Sequence, residues 1–180
     1  MKAAIVLRVD APPDYGVFDA PVPVANEVRV LMHAAALSNL VRAQASGKHY
    51  SASLDLPFIP GVDGAGVLED GRRVFVAFPR APFGTMAEQT VVARDLWVHI
   101  PDDIDDVTAA AIGNPGMSSW AALKDRARFV PGESVLINGA TGVSGRLAIQ
   151  IARHFGAKRI VVTGRNTSQR AALLALGADA

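Results

Sequence analysis

Apolar and polar residues alternate in short runs through the first half of the chain, and this pattern predicts β-strands. In residues 27–33, "EVRVLMH", the apolar Val28, Val30 and Met32 occupy every second position, as in a half-buried strand. Further strands are predicted over residues 2–8, 66–70, 72–78 and 85–92. Several short strands of this kind predict a small, partly open barrel.

Glycine and proline separate these strands. Asp70-Gly71 lies between two of them and is a hairpin signal, because both residues tolerate positive φ. The segment "LSNLVRAQASG" has a helical pattern instead, and predicts a short helix or turn that ends at Gly47.

After Pro101 the apolar period lengthens to that of helices. The Ala-rich segments "DDVTAAAIGN" and "GMSSWAALKDRARF" predict two helices, with Asp105 or Asp106 as a start signal. Beyond Pro131-Gly132 the order is strand, helix, strand, helix, from "SVLING" to "SQRAALLAL". Both strands are apolar on both faces, which is typical of buried parallel strands.

The fold class predicted from these patterns is β followed by α/β. We expect a barrel domain over residues 1–128 and an incomplete Rossmann domain, a doubly wound parallel sheet, over residues 129–180. The second domain ends after its second helix, whereas a mononucleotide-binding half needs a third strand. The second domain is therefore expected to be incomplete, with sheet edges left uncovered.

Composition narrows the classes of partner. The formal net charge is +1, which gives no field that indicates nucleic acid or an acidic membrane as a partner. There is no cysteine, so disulfides, thiolate metal ligands and a cysteine nucleophile are excluded together. The five apolar residues before Arg8 are too few for a signal peptide, and no run is long enough to span a bilayer. We expect a cytoplasmic protein.

The loop "NGATGVSG", residues 138–145, joins the first strand of the second domain to its helix. A strand-to-helix turn of this kind directs backbone N–H groups and the positive end of the helix dipole at a phosphate. Gly142 would let the phosphates approach the backbone, and Gly145 would let the helix lie against the strand.

The helix that follows the loop is predicted to face the sheet with Leu147, Ile151 and Phe155. The loop residues expected to bind a dinucleotide are Ala140, Thr141, Gly142, Val143 and Ser144.

Two features bear on this prediction. Ala140 departs from the strict G-x-G-x-x-G pattern, so a merely tight turn is the alternative. The second strand ends in Gly164, Arg165 and Asn166, where NAD-binding proteins carry an acidic residue for the ribose 2′-hydroxyl. Arg165 suits a 2′-phosphate instead, which favours NADP(H); the alternative is a solvated arginine at a strand end.

The chain resembles the medium-chain dehydrogenase/reductase superfamily, specifically its zinc-free, quinone-oxidoreductase-like branch. The resemblance covers the whole chain and rests on blocks in a fixed order, among them "EVRVLMHAAALSN", "PFIPGVDGAGVLEDGRRVF", "GTMAEQTVV" and "PGESVLINGATGVSGRLAIQIARHFGAKRIVVTGRN". It implies a GroES-like barrel domain followed by the nucleotide-binding domain, with the active site between them. It also accommodates Ala140, because branch members carry "AAGGVG"-like loops.

Departures from the zinc alcohol dehydrogenases of the superfamily are expected to exclude zinc. Those enzymes use a cysteine after the second long strand, where this chain reads Leu37-Ser38-Asn39. Their "GHE" block reads Gly61-Val62-Asp63 here. A lone carboxylate without a histidine or thiolate is a poor zinc site. No metal site is therefore predicted.

The resemblance also implies candidate site residues. Ser38 stands where many relatives have an asparagine, and the adjacent Asn39 is a substitute for that amide. Tyr50 falls near a tyrosine that faces the nicotinamide, where its phenol would orient or protonate the acceptor; the alternative is a loop aromatic that covers the barrel. Asn114 and Ser118 match the helix start near the nicotinamide carboxamide, and Asn114 is equally an N-cap before Pro115.

By resemblance, the chain is the N-terminal half of a zinc-free, NADPH-dependent reductase of quinones or α,β-unsaturated carbonyls, which acts on a small electron-poor substrate. A homodimer is compatible with the full-length form. The alternative hypothesis is a non-catalytic truncated remnant or interaction domain of the same family.

Overall fold

The computed structural model describes residues 1–50, 52 and 55–180. The chain divides into two compact units, Met1–Ala111 and Ile112–Ala180. The domain boundary that the sequence predicts, after residue 128, stays a prediction. Among the helices of the described residues, none has the length and hydropathy needed to cross a membrane.

The first unit contains a curled antiparallel sheet, a half-barrel, which confirms the predicted barrel. Its strands are β1 (Lys2–Ile5), β2 (Asp14–Val17), β3 (Glu27–Ala35), β4 (Asp63–Leu68), β5 (Arg73–Ala77), β6 (Gln89–Ala93) and β7 (Trp97–His99). Five of them hydrogen-bond in the order β6-β3-β4-β5-β7, and β1 and β2 form a separate two-stranded sheet.

The alternation in β3 sets which side chains enter the barrel core. Val30 is fully buried, and Val28 and Met32 pack against the same cluster, as the period-two pattern predicts. The predicted hairpin joins β4 to β5, with Gly71 at φ +84°. At this φ a side chain is strained, so glycine suits the turn.

The short helix α1 (Asn39–Ala45) follows β3, as predicted. The side-chain oxygen of Ser38 accepts a hydrogen bond from the backbone N–H of Val41 at 3.3 Å and so caps this helix. Gly47 follows at φ +68°, in the left-handed conformation typical of a residue just past a helix end.

The helix α2 (Asp106–Ala121) corrects two predictions. The two helices expected over residues 105–114 and 116–129 are one helix, which continues as a π-helical turn over Ala122–Arg126. Pro115 lies inside α2, not at a first helical position, so Asn114 is not an N-cap. The start signal is confirmed instead at Asp105, whose carboxylate accepts hydrogen bonds from the backbone N–H and the hydroxyl of Thr108 at 2.8 and 2.7 Å.

Charged side chains hold the first residue of α2 against the sheet. Both Asp106 carboxylate oxygens are engaged: Arg73 Nη2 donates at 2.8 Å and His33 Nδ1 lies at 2.7 Å. Burial alone would raise the pKa of Asp106, but these two partners lower it below its usual value overall.

The second unit contains a parallel strand pair with helices, which confirms the predicted β-α-β-α order. Its further elements are β8 (Ser134–Asn138), α3 (Val143–His154), β9 (Arg159–Thr163), a 3₁₀ turn (Thr167–Gln169) and α4 (Arg170–Ala175). Ile137, Ile149, Ile160 and Leu173 are buried together in its core.

The face of α3 that packs on the sheet differs from the prediction. Its buried residues are Ala148, Ile149 and Ala152, whereas Leu147, Ile151 and Phe155 are only partly buried. Phe155 contacts Trp120 of α2 instead, with ring centroids 4.7 Å apart. The buried face of α3 is therefore made of two alanines and Ile149, which belong to the core of the unit.

Candidate nucleotide-binding site

The loop between β8 and α3 leaves the first turn of the helix open. The strand ends at Asn138, Gly139 takes φ +76°, and Gly142 is the N-cap of α3 without any side-chain cap bond. The first intrahelical bond runs from Arg146 N–H to Gly142 O at 2.9 Å. The backbone N–H groups of residues 143–145 therefore have no intrahelical acceptor, and Gly142, Val143 and Ser144 are exposed. Open N–H groups at a helix N-terminus, together with the helix dipole, have the geometry that favours an anion.

The space around the loop fits a phosphate group at this position. A Cβ added to Gly142 would meet only Gly139 O, at 3.7 Å, so the backbone is accessible from outside. A Cβ added to Gly145 would lie 2.6 Å from Ala140 Cα, which explains why this position requires glycine for the helix to lie close to the strand. Ala140 is fully buried, so its methyl group points away from the open side and does not obstruct a ligand.

Hydrogen bonds fix the loop to the end of the neighbouring strand. Ala140 N–H donates to Thr163 O at 2.9 Å, and the Thr163 hydroxyl donates to Asn138 Oδ1 at 2.6 Å. From α2, the Ser119 hydroxyl donates to Ser144 O at 3.3 Å. Sequence reasoning missed these three positioning side chains. The sequence signals only two of them, Asn138 and Thr163, as the polar residues that end the two apolar strands.

The end of β9 lies at the same edge of the sheet, because Asn138 and Thr163 are register partners. Gly164, Arg165 and Asn166 follow Thr163 and are exposed. Within the described part of the chain, Arg165 makes no ion pair. Its guanidinium is thus not neutralised by a carboxylate.

Two neighbours of Arg165 have structural roles that the sequence did not predict. The Asn166 side-chain oxygen accepts from the N–H and the hydroxyl of Ser168 at 3.1 and 2.7 Å, so it caps the 3₁₀ turn. A Cβ added to Gly164 would lie 2.7 Å from Thr141 Cγ2, so this glycine makes room for a loop side chain. The predicted role of both residues in cofactor binding stays a prediction.

The other predicted site residues lie on helices and loops. Ser118 is exposed and Asn114 half-buried, both inside α2. In the first unit, Ser38 caps α1, and Asn39 is its exposed first residue. Tyr50 is 96% exposed and its ring lies 4.3 Å from that of His49, so it does not cover the barrel. The catalytic and carboxamide-binding roles of these residues stay predictions.

Val62 and Asp63 occupy the positions of the histidine and glutamate in the "GHE" block of zinc alcohol dehydrogenases. Val62 is buried, and Asp63 is only 1% exposed at the start of β4. Over residues 1–50, 52 and 55–180, no group of three or more His, Asp or Glu side chains has an arrangement that could hold a metal ion.

No family model matches the chain. It is 34% identical over 163 residues to the quinone oxidoreductase of Sus scrofa, covering 85% of this chain and 49% of that protein. It is 30% identical over 202 residues to a probable NADPH-dependent quinone reductase of Emericella nidulans, covering 92% of this chain and 55% of that protein.

A solved structure shows the same architecture. The quinone oxidoreductase from Thermus thermophilus, for which a complex with NADPH is also described, matches with a TM-score of 0.89 and 32% identity. The match covers 99% of this chain and 58% of that one. The chain spans about half the length of the curated relatives it matches.

A half-barrel followed by a parallel βαβα unit is the architecture of the two-domain class of proteins to which these quinone oxidoreductases belong. The chain belongs to the medium-chain dehydrogenase/reductase superfamily, in its quinone-oxidoreductase-like branch.

Proposed function

We propose that this chain supplies the barrel and the first nucleotide-binding unit of a zinc-free, NADPH-dependent reductase of quinones or α,β-unsaturated carbonyls. The observation that carries the proposal is the open N-terminus of α3 at the same sheet edge as the unneutralised Arg165. The relatives named as quinone reductases, one of them NADPH-dependent, support the reaction class.

The backbone would hold the pyrophosphate. Val143, Ser144 and Gly145 each offer an N–H without an intrahelical acceptor, and Gly142 presents no side chain in front of them. Because these donors belong to a rigid helix whose loop is hydrogen-bonded to Thr163, they are oriented before the ligand arrives.

Arg165 would decide between the two nicotinamide cofactors. No acidic residue occurs between Thr163 and Arg170, so no carboxylate in that segment accepts both ribose hydroxyls of NADH or repels a 2′-phosphate. A guanidinium binds a phosphate through paired, charge-assisted hydrogen bonds. NADPH should therefore bind more tightly than NADH.

The nicotinamide, when bound, supplies a hydride to an electron-poor carbon of the substrate. The protein groups then have two tasks, to orient the acceptor and to supply a proton. Tyr50 carries an exposed phenol suited to proton donation, and the Asn39 amide and Ser38 hydroxyl are candidates for holding the acceptor oxygen. Asn114 and Ser118 are the candidates for binding the carboxamide.

The cofactor assignment is tested with Arg165→Ala in the full-length protein that carries this chain. Losing one exposed, charge-assisted contact should weaken NADPH binding by about 1.4 kcal/mol, or about tenfold, while NADH binding stays nearly unchanged. Arg126→Ala is the matched control, because it removes the same charge from an exposed position at the π-helical turn. Titration of each protein with both cofactors gives the affinities. Equal affinity of the unaltered protein for NADH and NADPH would contradict the assignment.

A further inference from the structure

A cavity of about 430 Å³ lies in the second unit at the end of α3 that is remote from the glycine loop. It is lined by Lys124, Arg128, Phe129, Pro131 and Phe155. Phe155 is the C-cap of α3, whereas the loop precedes its first residue. Because the helix has 12 residues, the two places are separated by about 18 Å along its axis. The proposed nucleotide site does not use this cavity.

The floor of the cavity is aromatic and held in place. The Phe155 ring packs edge-on against Trp120 at a centroid distance of 4.7 Å, and Phe129 packs against the core of the unit. Pro131 lies beside Gly156, where an added Cβ would be 3.1 Å from the proline Cβ. Gly132 N–H also donates to Gly156 O at 2.8 Å and ties the two loops together. The floor therefore offers fixed apolar faces to a flat ring.

The rim of the cavity is positive. Lys124 and Arg128 are both exposed, and neither forms an ion pair with any residue that the structure describes. Lys124 Nζ sits 5.5 Å from the centre of the Trp120 ring, which positions the ammonium group over the aromatic cluster. The nearby Glu133 uses its carboxylate to accept the N–H of Val130 at 2.8 Å.

The backbone of the rim is also unusual. Arg128 has φ +51°, a conformation that is uncommon for a residue other than glycine. It follows the π-helical turn Ala122–Arg126, and such turns are frequent at functional sites. A glycine or asparagine would relieve this strain, yet an arginine occupies the position at the mouth of the cavity.

We propose that this cavity is a binding site for a small aromatic carboxylate. The volume lies within the range of about 300–1,000 Å³ that is usual for small-molecule sites. A planar ring would stack on Phe129 and Phe155, and its carboxylate would pair with the two rim cations. A neutral ring would leave both cations unpaired, and a polyanion without a ring would leave the aromatic floor exposed to water.

The experiment uses 2-naphthoate as the probe, titrated by calorimetry into the full-length protein with and without saturating NADPH. We expect saturable binding with a Kd below about 1 mM that NADPH does not compete away. The neutral analogue 2-naphthamide should bind at least about tenfold more weakly, because it lacks the charge. This arm needs no altered protein.

A double variant, Lys124→Gln with Arg128→Asn, tests the two cations directly. Asparagine tolerates positive φ, so the backbone of residue 128 is preserved. We expect about a tenfold loss of naphthoate affinity, with unchanged thermal unfolding. Arg126→Gln, which removes a charge from the same turn but does not line the cavity, should change the affinity by less than about twofold.

Three results would overturn the proposal. One is equal affinity for 2-naphthoate and 2-naphthamide, and another is an equal loss of affinity in the double variant and in Arg126→Gln. The third is a short poly-glutamate peptide that displaces bound naphthoate as effectively as unlabelled naphthoate does at equal concentration. That result would indicate a surface for acidic protein segments.

Discussion

Replacing Gly145 by alanine tests whether close packing, and not helix propensity, determines the effect of this residue on the free energy of unfolding. The residue lies in the first turn of α3, where alanine would ordinarily stabilise the helix by about 1 kcal/mol relative to glycine. At this position the added Cβ would lie 2.6 Å from both Ala140 Cα and Gly139 O, and 3.1 Å from Ala140 C. These are backbone atoms, so no side chain can rotate to relieve the contact.

The magnitude follows from the displacement that is needed. An ordinary carbon contact begins at 3.4 Å, so the helix and the loop must move apart by about 0.8 Å. Overpacking of this kind costs about 1–3 kcal/mol. Here it would also strain the backbone hydrogen bond from Ala140 N–H to Thr163 O. After the gain in propensity of about 1 kcal/mol, we expect a net loss of up to about 2 kcal/mol in the free energy of unfolding.

Two other glycines provide matched controls for the same change. Gly116 lies inside α2, and its added Cβ would meet only Leu147 Cδ1 at 3.9 Å, so Gly116→Ala should be neutral or stabilising. Gly142→Ala should leave stability nearly unchanged, because its Cβ has only one neighbour within 4 Å, at 3.7 Å. It should nevertheless weaken NADPH binding, since the methyl group would stand in front of the open N–H groups.

The assay is urea unfolding of the three variants and the parent, with NADPH titration of each folded protein. The expected pattern is lower stability for Gly145→Ala alone and weaker binding with intact stability for Gly142→Ala. A Gly145→Ala protein as stable as Gly116→Ala would show that the close approach of α3 to its loop is not a structural requirement. Unchanged NADPH affinity in Gly142→Ala would refute the proposed position of the phosphates.

The remaining predictions concern acid sensitivity and metal content. Because the pKa of Asp106 is lowered in the folded state, its contribution to stability is present above its usual value of 3.8 and is lost as the pH falls through the lowered pKa. The difference in unfolding free energy between the parent and Asp106→Asn, about 1–3 kcal/mol at neutral pH, should shrink below about pH 4; a constant difference across the pH range would contradict this. With Val62 and Asp63 in place of the "GHE" histidine and glutamate, elemental analysis of the full-length protein should find no stoichiometric zinc, and a chelator should leave NADPH oxidation unchanged.

Much of the fold could be predicted from the sequence because its signals are local. The period-two pattern of β3, the Asp70-Gly71 hairpin and the strand–loop–helix order around "NGATGVSG" each depend on neighbours within a few residues. The position of the open loop, the need for glycine at residue 145 and the absence of an acid near Arg165 follow from the same short-range information.

Long-range packing decided the rest. Whether Pro115 begins a helix or lies inside one depends on tertiary contacts that offset the lost backbone hydrogen bond, and the sequence contains no local record of them. The face of α3 that meets the sheet is set by how its side chains fit against the strands, so Ala148, Ile149 and Ala152 are buried there while Phe155 meets Trp120.

The same reason applies to the site. Ser38 and Asn166 are polar residues that suit catalysis or binding by their chemistry, but their side-chain oxygens cap a helix and a turn. Thr163, Asn138 and Ser119 have no distinctive sequence signal, yet they hold the loop in place. A polar side chain acquires its role from the partner that the fold brings within hydrogen-bonding distance, and only the tertiary structure determines that partner.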